Sequence, residues 1–323
     1  MADLSALAGR EDGPASRGQL ILVSAFALAV IFLALAVVVN SAIFTENLAT
    51  RSENVESTEA LDYRHAVEQS VGELLGYVNE YNATSNTTLG RNLSGEIRNL
   101  TVYTGIQQVE QGAAVSLELL GTANGTRIFQ NSSSEFTNNE SDADWTVAES
   151  VSNTRAFEIR ASDVDDNFTV VANDTSTPSA EWEMVLDGDD DEVIVTRDGF
   201  PSERCELDDD IETVDVTGAT VNGEVCPALI DTVDGDSLRF AAGIGGDYAI
   251  EFVGGNEIEG NYSLVVDNAS TAAIRDDDYA AIAGPGDGPY ATPAIYSARI
   301  ALDYETARLE YQTEIVAEPG EST

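Results

Sequence analysis

Three sets of side chains have the type and spacing to do chemistry: alternating carboxylates, a cysteine pair and a run of glycosylation sequons. Asp187, Asp189 and Asp191 alternate through Asp187-Gly-Asp-Asp-Asp191, with Asp198 eleven positions after the first. Calcium loops use such spacing because one tight turn then presents several oxygens to a hard cation. The sixth position, where such a loop needs glycine, is Glu192, and acids crowd the whole chain. Salt adaptation is the plainer account, so the three aspartates remain a metal candidate by spacing alone and no cofactor is expected. Cys205 and Cys226 are the two cysteines. Outside a cell they would close a loop of roughly 22 residues, worth about 3 kcal/mol; two free buried thiols are the alternative. Asn-x-Ser/Thr occurs at Asn82, Asn86, Asn92, Asn99, Asn124, Asn131, Asn139, Asn167, Asn173, Asn261 and Asn268, eleven of the nineteen asparagines. Chance would place only about three. Glycosylated surface loops are the functional reading, and a Thr- and Asn-rich chain the plain one.

Other chemistries lack their residues. The one histidine, His65, falls in the expected stalk helix as a surface residue near the membrane, so neither a Ser-His-Asp triad nor a His-based zinc site is expected. Gly235-Asp-Ser-Leu238 spells the nucleophile block of the GDSL hydrolases, but no histidine follows Ser237. The chain has no lysine, hence no P-loop of the usual kind. An enzyme is therefore not expected.

The charge is extreme: 58 acidic residues against 15 basic ones, all arginine, for a formal net of −43. Such self-repulsion opposes a compact state in dilute buffer. At molar salt the Debye length shrinks to about 3 Å, which screens it. The composition fits a protein of near-saturated brine, of haloarchaeal character. Nothing in it would neutralise phosphates, so nucleic acid is not an expected partner.

The elements that carry these residues hang from one stretch. From Leu20 through Val39 only Ser24 interrupts an apolar run. Twenty helical residues rise about 30 Å, the thickness of a bilayer's hydrocarbon core, so residues 19–44 are read as a transmembrane helix with membrane lipid as partner. All the sequons follow this run, which puts the N-terminus inside and the body outside. The tetrad Arg17-Gly18-Gln19-Leu20 abuts the run. It resembles the class III signal of archaeal pilins and archaellins, and the string from Arg17 to Arg51 resembles a haloarchaeal group of uncharacterised pilin-like membrane proteins. That resemblance implies cleavage between Gly18 and Gln19 by a prepilin peptidase, retention of the apolar helix, and packing with identical or related pilin-like subunits. Many pilins carry Glu five residues into the mature helix, where this chain has Val23.

Beyond the run, Val67, Val71, Leu74, Val78 and Tyr81 recur at steps of three and four, the face of a helix. Leu89, Leu93, Ile97 and Leu100 predict a second amphipathic helix ending near Gly112. From Ala113 the period becomes two. Asn124-Gly125 predicts a hairpin turn. Phe157–Arg160 followed by Asn167–Asn173, and Tyr248–Glu251 followed by Asn261–Asp267, each predict a hairpin, either as a duplicated module or as independent units. Ala294–Tyr304 and Leu309–Ile315 predict a last hairpin turning near Glu305-Thr306. The expected fold class is α+β: a long N-terminal transmembrane and stalk helix and a second helix, then a β-sandwich-like extracellular domain. The expected segments are a leader 1–18, a transmembrane helix 19–44, a stalk 45–82, a connector and second helix 83–111, and a β-rich domain 112–318. Two functions compete: a pilin-like filament or pseudopilus subunit of a minor kind, and a single-pass glycosylated surface binding module.

Overall fold

The computed structural model describes Phe32, Leu35 and residues 57–81, 85–174, 181–197, 200–207, 212–230, 232–233, 236–268, 276–280 and 288–320. The chain divides into two units, Met1–Glu59 and Ala60–Thr323. In the first, the leader, the Gly18–Gln19 junction and the apolar run lie outside the described residues, except for Phe32 and Leu35, which are helical and exposed. No helix among the described residues is long and apolar enough to cross a membrane.

The second unit overturns the α+β expectation. The molecule is mostly β, 49% strand against 27% helix, and includes a half-barrel sheet. A helix over residues 57–81 (α1) is followed by α2 (Asn86–Glu110), whose first turn is capped by the Ser85 hydroxyl accepting from the Thr88 N–H. Strands then follow: β1 (Ala114–Glu135), β2 (Trp145–Val151), β3 (Thr154–Val164), β4 (Asn167–Asp174), β5 (Glu181–Asp187), β6 (Glu192–Arg197), β7 (Phe200–Glu206), β8 (Glu212–Asp215), β9 (Thr220–Val221) and β10 (Glu224–Val225). A short α3 (Pro227–Ile230) precedes β11 (Thr232–Val233), β12 (Asp236–Ser237), β13 (Tyr248–Val253), β14 (Ile258–Val266), β15 (Tyr290–Glu305) and β16 (Glu310–Ala317). The expected strands are all present. The shift in class comes from strands too short or too polar to show a period, β7 to β12, and from the great length of β1 and β15.

An eight-stranded sheet runs β10-β9-β8-β3-β14-β1-β15-β16, and a six-stranded sheet runs β2-β13-β4-β5-β6-β7. One core lies between them, built on Phe136, Phe157, Phe168, Trp182, Phe252 and Tyr262. Most of its ring pairs meet edge to face, as aromatic quadrupoles prefer: Phe136 and Phe168 stand 5.3 Å apart, Phe252 and Tyr262 5.0 Å. A second core lies on the other face of the larger sheet. There α1 buries Ala60, Tyr63, Val67, Val71, Leu75 and Val78, and α2 buries Leu89, Leu93 and Ile97, against Leu117, Ile295, Ile300, Leu302 and Tyr304. The helical stripe is thus a packing face as its spacing predicts, except that Leu74 is half-buried and Tyr81 exposed.

Two turn expectations fail for identifiable reasons. Asn124-Gly125 makes no hairpin: β1 runs straight through it, and the pairing with β15 shifts register between Ala123 and Asn124. Gly125 is needed because a Cβ there would meet the Val266 carbonyl oxygen at 2.3 Å. The tight hairpin sits at the other Asn-Gly, where Asn222 (φ 51°) and Gly223 (φ 80°) join β9 to β10. The two expected internal hairpins are instead crossings between sheets. β3 pairs with β14 in one sheet and β4 with β13 in the other. These reciprocal pairings do not share a register: Tyr262 faces Ile159, whereas Ile250, which matches Ile159 in sequence, faces Ala172 rather than Phe168. The last hairpin forms as its alternation predicts, Glu305 opposite Glu310.

Candidate functional site

Five separate segments converge on a cleft of about 650 Å³, within the range of small-ligand pockets. One wall is the start of β3, Thr154 to Ala156, with Ser152 and Asn153 before it. The second is the turn after β8, Thr217 and Gly218. The others are residues 239–241 with Ile244, the buried rings of Tyr248 and Tyr296, and a C-terminal strap, Glu318 to Gly320.

Each wall is fixed by its own polar contacts. The Asp215 carboxylate accepts from the Gly218 N–H at 2.7 Å and from the Thr217 hydroxyl at 3.2 Å, and that hydroxyl accepts from the Phe157 N–H at 3.1 Å. Ser152 donates its hydroxyl to Asp247 at 2.7 Å and its backbone N–H to Asp267 at 3.0 Å. Thr154 and Tyr248 share a hydroxyl hydrogen bond of 2.9 Å. Burial holds the Tyr248 phenol well above its ordinary pKa, an effect the Thr154 contact only partly offsets, so it stays neutral. The Arg155 guanidinium lies over the Tyr296 ring, 4.3 Å from its centroid, and pairs with the Glu318 carboxylate. Ala156 (φ 48°) and Ala241 (φ 54°) both hold left-handed backbone, which costs an alanine energy and concentrates at functional sites.

The lining carries Arg155 and Arg239 against Glu318, whereas the chain as a whole holds 15 arginines against 58 acids. The lining is furnished with guanidinium, hydroxyl and aromatic groups, and the carboxylates of Asp215, Asp247 and Asp267 stand directly behind it. Two of its hydroxyls, Ser152 and Thr217, donate to the carboxylates of Asp247 and Asp215. His65 lies on α1, with its side chain 65% exposed and 4.0 Å from Glu68. Sequence reasoning did not find this site. Its one local signal is the scarcity of arginine, and its residues are spread over 169 positions, from Ser152 to Gly320.

The residues singled out in the sequence lie elsewhere. Cys205 on β7 and Cys226 before α3 form a disulfide, Cα to Cα 5.7 Å, at the edge of the inter-sheet core. Asp187 spends one carboxylate oxygen on the N–H groups of Asp189 and Asp190, at 3.0 and 3.1 Å. Among the described residues no three His, Cys, Asp or Glu side chains converge to hold a metal ion, and Asp198 lies outside them. Asn82 also lies outside them. Asn99, Asn124, Asn131, Asn139 and Asn167 are exposed, and Asn86, Asn92, Asn173, Asn261 and Asn268 half-buried. The Asn173 and Asn268 amides donate to Glu251 and to the Ser150 carbonyl.

Residues 14–162 match a family of unknown function, DUF7261, a stretch that runs from the leader through most of β3. No curated protein and no solved structure matches the chain.

Proposed function

We propose that the chain is a membrane-anchored cell-surface protein of pilin-like type, a minor subunit of a filament or a secretion-type pseudopilus. Its β-rich head stands outside the cell and residues 19–44 hold it in the membrane. The observation that carries this reading is the way α1 is built. The helix that follows the apolar run in sequence is itself a layer of the head, with six residues buried on the eight-stranded sheet. A contact made on that helix is therefore made on the head itself. Two further features support an extracellular head. None of the described sequon asparagines is buried, and the head carries a disulfide, which persists in oxidising compartments.

The cleft favours a second reading, a single-pass surface protein that holds a ligand and joins no filament. The N-terminal residue of the protein in its native membranes separates the two. Mass spectrometry is expected to find Gln19, with the chain co-sedimenting with surface filaments. A mature protein beginning at Met1 or Ala2 removes the pilin-like reading and leaves the binding module.

A further inference from the structure

One side of α2 is spent on the eight-stranded sheet, and the opposite side is apolar as well. Leu89, Leu93 and Ile97 are buried against the sheet. In the later turns that side is held by the half-buried Leu100 and by Thr104, whose hydroxyl shares a hydrogen bond of 3.0 Å with Tyr63. On the far side Val102, Tyr103, Ile106 and Val109 recur at helical spacing, 57%, 71%, 61% and 67% exposed. Single exposed apolar residues need no account, but a contiguous stripe does.

A sequon opens that stripe. Asn99-Leu-Thr101 places an exposed asparagine three, four, seven and ten positions before the four apolar residues. On a helix Asn99 and Ile106 fall almost on one line, with Val102 and Tyr103 to either side. Helical side chains lean toward the N-terminus, so Val102 and Tyr103 lean back over the turn that carries Asn99. The other two sequons of α2 differ. Asn92 has Gly95 and Glu96 at the third and fourth positions, and Asn86 has the buried Leu89 and then Gly90. Of the three, Asn99 alone precedes exposed apolar side chains.

We propose that Asn99 carries an N-linked oligosaccharide that lies along α2 and covers the stripe of Val102, Tyr103, Ile106 and Val109. This rests on the reading of the head as extracellular. Pyranose rings have apolar C–H faces to set on the Tyr103 ring and the aliphatic side chains, and hydroxyls to turn toward water. A tethered sugar needs little affinity of its own, because attachment keeps its local concentration high. The contact is apolar, so the salt that screens the chain's charge does not weaken it. In the transfer, the Asn99 amide nitrogen bonds to C1 of a sugar carried on a lipid phosphate. The C1–O bond to that phosphate breaks, the lipid phosphate leaves with the electron pair, and the amide gives up one proton to the transferase. Its second proton remains to donate to the Glu96 carboxylate, 3.3 Å away. Thr101, whose hydroxyl the sequon requires, donates to the Ile97 carbonyl at 2.8 Å in the closed helix, so transfer takes place while this turn is open.

The test uses the full chain from its native membranes at molar salt. Glycopeptide mass spectrometry is expected to find a sugar on Asn99. Nitration by tetranitromethane then reads the cover on Tyr103, with the exposed Tyr77 as internal standard. Asn99→Gln and Thr101→Val are both expected to speed nitration of Tyr103 several-fold with the near-UV spectrum retained, and Asn92→Gln to leave it as in the parent. A bare Asn99 overturns the proposal, and so does a Tyr103 that is nitrated equally fast with the sugar in place. A Tyr103 still protected in Asn99→Gln also overturns it, and assigns the stripe to lipid or to a second copy of the chain. Sugars on Asn131 or Asn167 beside a bare Asn99 overturn this proposal and leave the extracellular head standing. A chain bare at every sequon removes the sequon support for that head as well.

Discussion

Tyr262 carries a phenol in the middle of the inter-sheet core, 2% exposed, whose hydroxyl finds no hydrogen-bond partner among the described residues. Its neighbours are rings: Phe136 at 4.8 Å and Phe252 at 5.0 Å. A buried hydroxyl without a partner keeps its full desolvation cost, about 1–3 kcal/mol. Tyr262→Phe removes that cost and keeps the ring, so the variant is expected to be as stable as the parent or more so, by about 1 kcal/mol. Burial also raises the phenol's pKa well above its ordinary value. The sign follows from linkage: the folded form holds the proton more tightly, so its stability is intact below the unfolded value, about 10. It is lost as pH rises from there toward the folded value. The variant should therefore gain further on the parent as pH climbs past about 10. Urea melts at molar salt, at neutral and alkaline pH, read both effects. A destabilised variant at neutral pH would mean that the hydroxyl has a partner after all.

At the level of elements, the bond between helix and sheet is the Asn79 clamp. Ile295 lies where β15 is out of step with β1, opposite Asn124 at the bulge. A bulge leaves backbone groups unpaired, and Asn79, 1% exposed, satisfies both the N–H and the carbonyl of Ile295. Asn79→Ala strands those two buried groups and is expected to cost about 2–4 kcal/mol, with amide exchange rising first in the last turns of α1. The same region shows what a sequence can and cannot reveal. The apolar stripes of α1 and α2 are local, and period 3.6 exposes them. The β15–β16 hairpin is equally local, since both strands alternate and the turn is four residues long. Asn124-Gly125 and Asn222-Gly223 are alike as dipeptides, and only the partner strands, far away in sequence, make one a bulge and the other a turn. The segments around residues 160 and 255 misled for a related reason. Period two declares a strand but not its sheet, so two strands joined by a polar loop read as a hairpin even when they cross from one layer to the other. The cleft was the least legible, because its lining is chosen by that layering and by no motif.

For the molecule as a whole the governing quantity is charge. The chain carries fifty-eight carboxylates against fifteen guanidiniums, and such ion pairs as Arg64–Glu68 and Arg204–Glu192 lie near solvent, where each contributes little. Repulsion must then be opposed by the two apolar cores and by salt. Counter-ions do this cheaply at molar concentration, where the Debye length is about 3 Å; at about 0.1 M it is about 10 Å, and neighbouring carboxylates interact. Trp145 and Trp182 report on the outcome because both are buried in the inter-sheet core, their indole N–H groups held by the carbonyls of Phe136 and Leu238 at 2.9 Å. On dialysis from molar salt to about 0.1 M the near-UV circular dichroism is expected to collapse and the tryptophan emission to shift to the red. Both should recover when salt is restored. An equal osmolality of sucrose favours the compact state by exclusion from the surface but screens no charge, so it should restore less of the native spectrum than salt does. A native spectrum held at low salt would mean that the two cores and the Cys205–Cys226 bridge outweigh the repulsion unaided, and the acidity would then need another explanation than brine.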